Sequence, residues 1–180
     1  MAVFSAYLPL LQQVEGGFQK LPEDPGNYNS LGQLVGTNYG ISARFYEGII
    51  NRPPSEQDIR NITKSQAATL YRQKFWNSQR ADEIISQPMA NTIIDHHVNS
   101  GRGAQLAQQT LNRHFGFNLG VDNQIGNNTL SALNSVNESR FVELYNEGRA
   151  NHYRSIGNET FIEGWLKRLE SFGGTFKKKM

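Results

Sequence analysis

Apolar positions along the chain recur mostly at intervals of three and four, the spacing of one helix face. Tyr7, Leu10, Leu11, Val14 and Phe18 draw the first such face. Pro9 falls within it and requires the first turn of a helix, where its missing amide hydrogen has no helical partner in any case. Gly16 and Gly17 should stop this helix and leave Glu15 at its end, where the chain turns away from the core. From Gln19 to Asn38 glycine, proline and asparagine break both the helical and the strand period, which predicts a long loop or a short irregular hairpin.

Beyond it the helical pattern resumes in pieces. A short helix is expected over Ile41–Ile50, stopped by Pro53 and Pro54, and another is capped by Ser55 with Asp58 three residues later. Thr63 and Gln66 form a capping box for a helix through Ala67, Leu70, Tyr71, Lys74 and Phe75 to Trp76. Met89, Ile93, Ile94 and Val98 mark a buried central helix ending near Asn99, Ser100 and Gly101. Ala104 to Leu111 continues separately, residues 116–128 form a loop, and Asn128 is placed as the cap of a helix with Leu130 and Leu133. Glu138 to Ile156 gives the longest helix, and Asn158 opens the last, carrying Phe161, Ile162, Trp165, Leu166 and Leu169 up to Gly173 and Gly174. Few windows alternate at period two. The fold class is therefore mainly α and irregular, with room for a small β hairpin inside residues 20–40; unequal helices broken by long loops do not fit a four-helix bundle.

Composition removes several kinds of chemistry. The chain of 180 residues has no cysteine, which excludes disulfide scaffolds, zinc-thiolate sites, iron–sulfur ligation and thiol catalysis. Its 18 Lys and Arg against 16 Asp and Glu give a net charge of +2, and Lys177, Lys178 and Lys179 account for more than all of it. Without a wider cationic face, nucleic acid is not an expected partner. No window approaches 18 apolar residues, so stable membrane insertion is not expected. Met1 to Leu11 lacks a basic start and soon meets Gln12, Gln13 and Glu15, so no signal peptide is read and synthesis in the cytoplasm is expected. His96 and His97 are adjacent and point different ways on a helix, and with His114 and His152 they make no recognised metal spacing. No metal and no cofactor are expected.

Candidate chemistry concentrates in Val14 Glu15 Gly16 Gly17 Phe18, then Asp24 Pro25 Gly26, then Gly36 Thr37 Asn38 Tyr39 Gly40 Ile41. A carboxyl at a helix end beside two glycines can project into a groove, and partial burial by Phe18 and Tyr39 would raise its pKa, as a general acid needs. Asp24, in a turn open to water, would stay ionised, giving the asymmetric pair that glycoside hydrolysis uses. Composition and spacing alone favour an ordinary reading, with Glu15 as a surface residue, the glycines as a helix cap and Asp24 as a turn former.

Taken in order, these three elements resemble the Glu-Gly-Gly-aromatic, Asp-Pro-Gly and Gly-x-Thr-Asn-x-Gly-Ile motifs of glycoside hydrolase family 108, N-acetylmuramidases related to a secretion activator protein. The likeness continues through Tyr71–Trp76, Asp95–Gly101, Leu111, Val121–Leu133 and Gly164 Trp165 Leu166 Lys167 Arg168, and so covers nearly the whole chain. It implies a lysozyme-like helical fold, with a catalytic muramidase region over residues 1–100 and a peptidoglycan-associated helical lobe of the same compact unit over 101–180. It implies hydrolysis of the β-1,4 bond from N-acetylmuramic acid to N-acetylglucosamine, with Glu15 as general acid, Asp24 as base or electrostatic partner and Thr37 positioning water. Inversion is the expected outcome. Tyr39, Tyr71 and Trp76 are candidates to line the sugar groove, against core packing as the alternative. Asn99 is counted with the substrate contacts, beside a reading in which Asp95 and Asn99 organise the turn at Ser100 and Gly101.

The chain departs from the family pattern at Asn27, which replaces a second glycine, and through Tyr28–Val35, which intervene before the Gly-x-Thr stretch. In Val121–Leu130, Asn123 stands for a glycine and Asn128 for a common proline; this segment is read either as a glycan or peptide contact or as a loop that makes Thr129 a helix cap. A bacterial or bacteriophage setting follows, with glycan strands as partner, action at the cell wall or periplasm, and a holin or secretion apparatus for passage. A noncatalytic peptidoglycan-binding or lysis-associated module is the alternative, and a lytic transglycosylase, which would leave 1,6-anhydromuramic ends, comes third.

Overall fold

The computed structural model describes residues 1–156 and 159–173. It is mainly helical with one small antiparallel hairpin near the N-terminus, and the chain groups into two compact units. Asn158, Gly174 and Lys177–Lys179, on which the sequence reading placed a helix start, a helix end and the excess charge, lie outside the described residues.

One unit is Leu8–Arg72. Helix α1 (Phe4–Val14) supplies its first segment and contains Pro9 well past the first turn. This corrects the sequence expectation: the helix begins earlier than the apolar face suggested and continues through Pro9, forgoing the bond its amide would have given the Ser5 carbonyl. A 3-10 turn at Pro25–Asn27 follows, then strands β1 (Thr37–Asn38) and β2 (Ile41–Ser42), paired Thr37 with Ser42 and Asn38 with Ile41. The connecting residues Tyr39 and Gly40 have φ of +47° and +75°, as a type I′ turn demands at both central positions. The hairpin therefore lies at the C-terminal edge of the predicted window, and β2 takes the first two residues of the run read as helix. Ser42 explains the shift. It is extended because it caps α2 (Ala43–Ile50), its hydroxyl accepting the Phe45 N–H at 3.3 Å.

The excursion from Tyr28 to Gly36 closes at its base on Asn27, whose carbonyl accepts the N–H groups of both Val35 (2.8 Å) and Gly36 (3.0 Å). The Asn27 side chain, which a glycine would lack, adds bonds of its own: its amide donates to the Leu21 carbonyl at 3.0 Å and its Oδ1 accepts from Gln19 at 3.2 Å. Both capping boxes read from the sequence are present, Ser55 with Asp58 for α3 (Glu56–Arg60) and Thr63 with Gln66 for α4 (Lys64–Tyr71). The amide of Asn38 donates to the carbonyls of Ile59 (3.1 Å) and Ile62 (3.2 Å), fixing the hairpin to the open end of α3.

The other unit joins Met1–Tyr7 to the chain from Gln73 onward. After a π-helical stretch, Arg72–Asn77, come α5 (Gln87–Ser100), α6 (Gly103–Phe115), α7 (Asn127–Ser135), α8 (Glu138–Ile156) and α9 (Glu159–Glu170). Helix α5 is buried without a break from Thr92 to His96, more than one full turn, and so presents no solvent face there. It packs against α6 and α8. Gly103 allows the close approach of α6, since a β-carbon there would collide with the Ile93 carbonyl and the His97 side chain.

Burying α5 all round also buries its polar groups, which must find partners. The fully buried Asp95 carboxylate pairs with Arg149 (2.7 Å) and Arg168 (2.8 Å), which reach it from α8 and α9. Arg149 is itself fully buried and donates further to Thr92 Oγ1 (3.1 Å) and Tyr153 Oη (3.0 Å). The turn after α5 is organised by Gly101, with φ +71°, and by Ser100, whose hydroxyl donates to the His96 carbonyl at 2.8 Å. Asp95 and Asn99 take no part in it, contrary to the sequence reading, because their side chains are committed to arginines and to Tyr153. Helix α7 likewise starts at Asn127 with Gly126 as its cap, so neither Asn128 nor Thr129 caps it; Thr129 is buried and its Oγ1 accepts from Gln108 at 3.2 Å.

Candidate active site

Glu15 lies just beyond α1, its N–H still donating to the Leu11 carbonyl at 2.9 Å. Its half-buried side chain enters a cleft of about 150 Å³ whose walls come from three elements: Leu8, Leu11 and Gln12 of α1, Tyr39 of the hairpin, and Lys64, Ala67, Ala68 and Tyr71 of α4. Gly16 and Gly17 form the exposed rim, with open space where a β-carbon would stand. The Glu15 carboxylate and the Tyr71 hydroxyl converge on the backbone of Gly40. A side chain there would collide with both groups, and the positive φ already disfavours one. The turn glycine thus sets how closely the hairpin approaches the acid.

The cleft has one carboxylate, Glu15, one cation, Lys64, and otherwise neutral or apolar walls. The Lys64 ammonium stands 5.8 Å from the centre of the Tyr39 ring. Tyr71 is buried, with its hydroxyl at the cleft. A carboxyl at the wall of a small concave site, flanked by a phenol and aromatic surface, can deliver a proton to a bound sugar oxygen.

The residues singled out from the sequence separate into three groups. Glu15, Tyr39 and Tyr71 line this one cleft. Asp24 and Thr37 belong to the same unit but do not line it. Asp24 caps the 3-10 turn, its Oδ1 accepting the Gly26 N–H at 2.8 Å, and the buried Thr37 donates its hydroxyl to Asn27 Oδ1 at 2.5 Å. Trp76 and Asn99 belong to the other unit. Trp76, read as a candidate sugar platform, is instead a core residue: it is fully buried, stacks on Tyr7 with ring centres 5.6 Å apart and donates its indole N–H to Asp82 at 2.6 Å. Asn99 donates to Tyr153 Oη at 3.0 Å. Gln12 and Lys64 line the cleft without having been singled out as site residues from the sequence.

Among the described residues no group of three or more His, Asp or Glu side chains is arranged to hold a metal, and no helix is long and apolar enough to cross a membrane. His96 Nδ1 lies 2.9 Å from Tyr145 Oη, and that hydroxyl donates to the Gly103 carbonyl at 3.0 Å. The imidazole therefore donates from Nδ1 and keeps Nε2 as a buried acceptor without a partner. Burial, reinforced by the nearby Arg149 charge, pushes its pKa down to about 2.

The Val121–Leu130 segment borders a separate polar cleft of about 390 Å³ within its own unit, lined by Gln108, Asn118, Asp122, Gln124 and Thr129 among others. There the Asp122 carboxylate is held below its ordinary range, first by the Gln108 amide at 2.7 Å and then by the Gln124 N–H at 2.9 Å.

Two family models match successive parts of the chain: Glycosyl hydrolase 108 over residues 8–101 and a Predicted Peptidoglycan domain over residues 102–170. Among solved structures, the chain is similar to SagA from Brucella abortus, with a TM-score of 0.79 and 24% sequence identity over 94% of this chain and 90% of that one. At that identity the likeness speaks for the fold. No curated protein matches significantly.

Proposed function

The chain belongs to the glycosyl hydrolase 108 family and is a hydrolase acting on peptidoglycan; from that premise we propose that it is an N-acetylmuramidase, cutting the β-1,4 bond from N-acetylmuramic acid to N-acetylglucosamine. The observation that carries the reading is the convergence of the Glu15 carboxyl and the Tyr71 hydroxyl on Gly40 inside a small, partly apolar cleft.

In this proposal Glu15 protonates the glycosidic oxygen as the bond to the muramyl C1 breaks. The electron pair leaves with the N-acetylglucosamine hydroxyl, and water adds to the oxocarbenium-like centre from the opposite face, inverting the anomer. Tyr71 orients the carboxyl, and Tyr39 offers ring surface to the sugar. Asp24 and Thr37 are assigned to the water side, Asp24 taking the proton that the water gives up and Thr37 positioning the water. Their hydrogen bonds to Gly26 and Asn27 give the loop that carries them a defined shape, which supports a fixed placement more than it supports direct contact with sugar. The substrate sets the place of action at the bacterial cell wall, reached through a holin or secretion apparatus.

The test is product analysis by mass spectrometry of purified sacculi treated with the wild type and with Glu15→Gln, both verified as folded. Reducing muramic ends from the wild type that disappear in the variant are expected. Equal cleavage by both would remove Glu15 from its role, 1,6-anhydromuramic ends would mean a lytic transglycosylase, and intact glycan carrying bound protein would mean a recognition module.

A further inference from the structure

Lys64 is an anomaly by the rules that govern the rest of its helix. It is the first residue of α4, where the unpaired N–H groups and the helix dipole favour a carboxylate and disfavour a cation. No acidic residue occupies that first turn. Three other basic side chains of this unit are paired with carboxylates, Lys20 and Arg60 with Glu56 and Arg52 with Asp58. Lys64 has no such pair among the described residues. Its ammonium instead faces the Tyr39 ring, on the wall of the cleft that holds Glu15. This exposed charge works against its own helix, stands at the cleft wall with the Tyr39 ring as its contact, and is left available to a bound anion.

We infer that Lys64 reads a carboxylate on the substituent of the muramyl residue and thereby selects muramyl glycan over neutral N-acetylglucosamine polymers. The inference rests on the muramidase reading above and extends it to substrate choice. Two chemical sources can supply that carboxylate. A glycan without stem peptides bears a free lactyl carboxylate, whereas a substituted glycan has an amide there and carries its carboxylates further out on the peptide. The ammonium stands 5.8 Å from the Tyr39 ring at the cleft wall, and the lactyl group, carried on the sugar itself, is the nearer of the two sources.

The test compares steady-state kinetics of the full chain on three soluble glycans: peptide-free muramyl oligosaccharide, the same oligosaccharide with its lactyl carboxylates converted to methylamides, and the peptide-substituted form. The enzymes are the wild type, Lys64→Gln and Lys64→Arg. The expected result is a rise in KM of about three- to tenfold for Lys64→Gln on the free-carboxylate substrate, the range between an exposed ion pair and a charge-assisted hydrogen bond. No such rise is expected on the methylamide, kcat should be unchanged, and Lys64→Arg should restore discrimination. A rise confined to the peptide-substituted glycan would overturn the lactyl assignment in favour of the stem peptide. An equal loss on all three substrates, or a shifted kcat–pH profile, would mean that Lys64 acts on Glu15 or on the fold, and would overturn the inference. No reducing ends from any of the three with the wild type would instead overturn the muramidase reading and the assignment with it. Because the lysine opposes its helix dipole, Lys64→Gln should melt no lower than the wild type, which separates lost recognition from lost folding.

Discussion

Asp95, inside α5, and Glu15, just past the end of α1, are both carboxylates, and their surroundings could hardly differ more. Asp95 is fully buried in the unit from Gln73 onward and is held by two arginines from two other helices. Glu15 is half-buried at the wall of a cleft, beside two glycines with open space around them. The first arrangement fixes a charge where no substrate can reach it; the second brings a carboxyl to a surface that a sugar can occupy. The strong ion-pair network serves architecture, and a thinly covered carboxyl beside a phenol is what the proposed chemistry needs.

The largest effect that would test this contrast is on turnover. Glu15→Gln should reduce kcat on peptidoglycan by about 10²- to 10⁴-fold, the ordinary contribution of general acid catalysis, with an unchanged urea midpoint. Asp95→Asn should do the reverse: about 3–5 kcal/mol of stability lost in urea unfolding, because two arginines would be left around a neutral group in the interior. Residual activity at temperatures where that variant is folded should stay near wild type. If Asp95→Asn left stability intact, the distinction between an architectural and a chemical carboxylate would fail.

Acid sharpens the comparison within the α5 unit. The folded pKa of His96 lies far below its unfolded value, so on acidification the unfolded chain takes up a proton that the folded chain does not. Its stabilising contribution is present above about pH 6.5 and is lost as pH falls towards its folded pKa of about 2, with a slope of about 1.4 kcal/mol per pH unit. Urea midpoints between pH 7 and 5 should show this loss, and His96→Gln should flatten it. His97 is displaced the same way by burial, and His152 by burial and then by Arg102, so a residual slope in that variant is expected.

Two smaller effects concern the cleft. Gly40→Ala should cost about 1–2 kcal/mol from its positive φ alone and should lower kcat as well, since the added methyl meets both Tyr71 and Glu15. Asp24→Asn separates two roles: as a turn cap alone, it would cost at most about 1 kcal/mol and leave turnover intact, whereas a water-side role would lower kcat at unchanged stability. Thermal melts paired with turnover on the same preparations read both.

Features written in short stretches of sequence were legible. The boxes at Ser55 and Thr63 need residues only three apart, and the span Glu138–Ile156 carries Phe141, Leu144, Tyr145 and Tyr153 as apolar anchors. Pro9 misled because a proline rule drawn from the helix alone does not weigh the packing of Phe4 and Tyr7 on Trp76 that holds the first turn in place. The same packing took Trp76 out of the ligand surface. Arg149 and Arg168 lie 54 and 73 residues from Asp95, and no periodicity connects them. At the cleft, a motif brought Glu15, Tyr39 and Tyr71 into view, whereas Gln12 and Lys64 are polar positions on helix surfaces without a periodic signal. The clue that would have found Lys64 was a cation directly after a capping threonine.

The clamp at Asn27 bears on how this chain tolerates change. Since one carbonyl receives the chain as the excursion returns, the segment between is closed off where it leaves and re-enters the rest of its unit. Its tip, Leu31 and Gly32, is exposed. Lengthening such a loop adds only slowly to closure entropy, about 0.6 kcal/mol for each doubling. The tip is therefore the natural insertion point for a foreign sequence, such as an epitope or a targeting peptide.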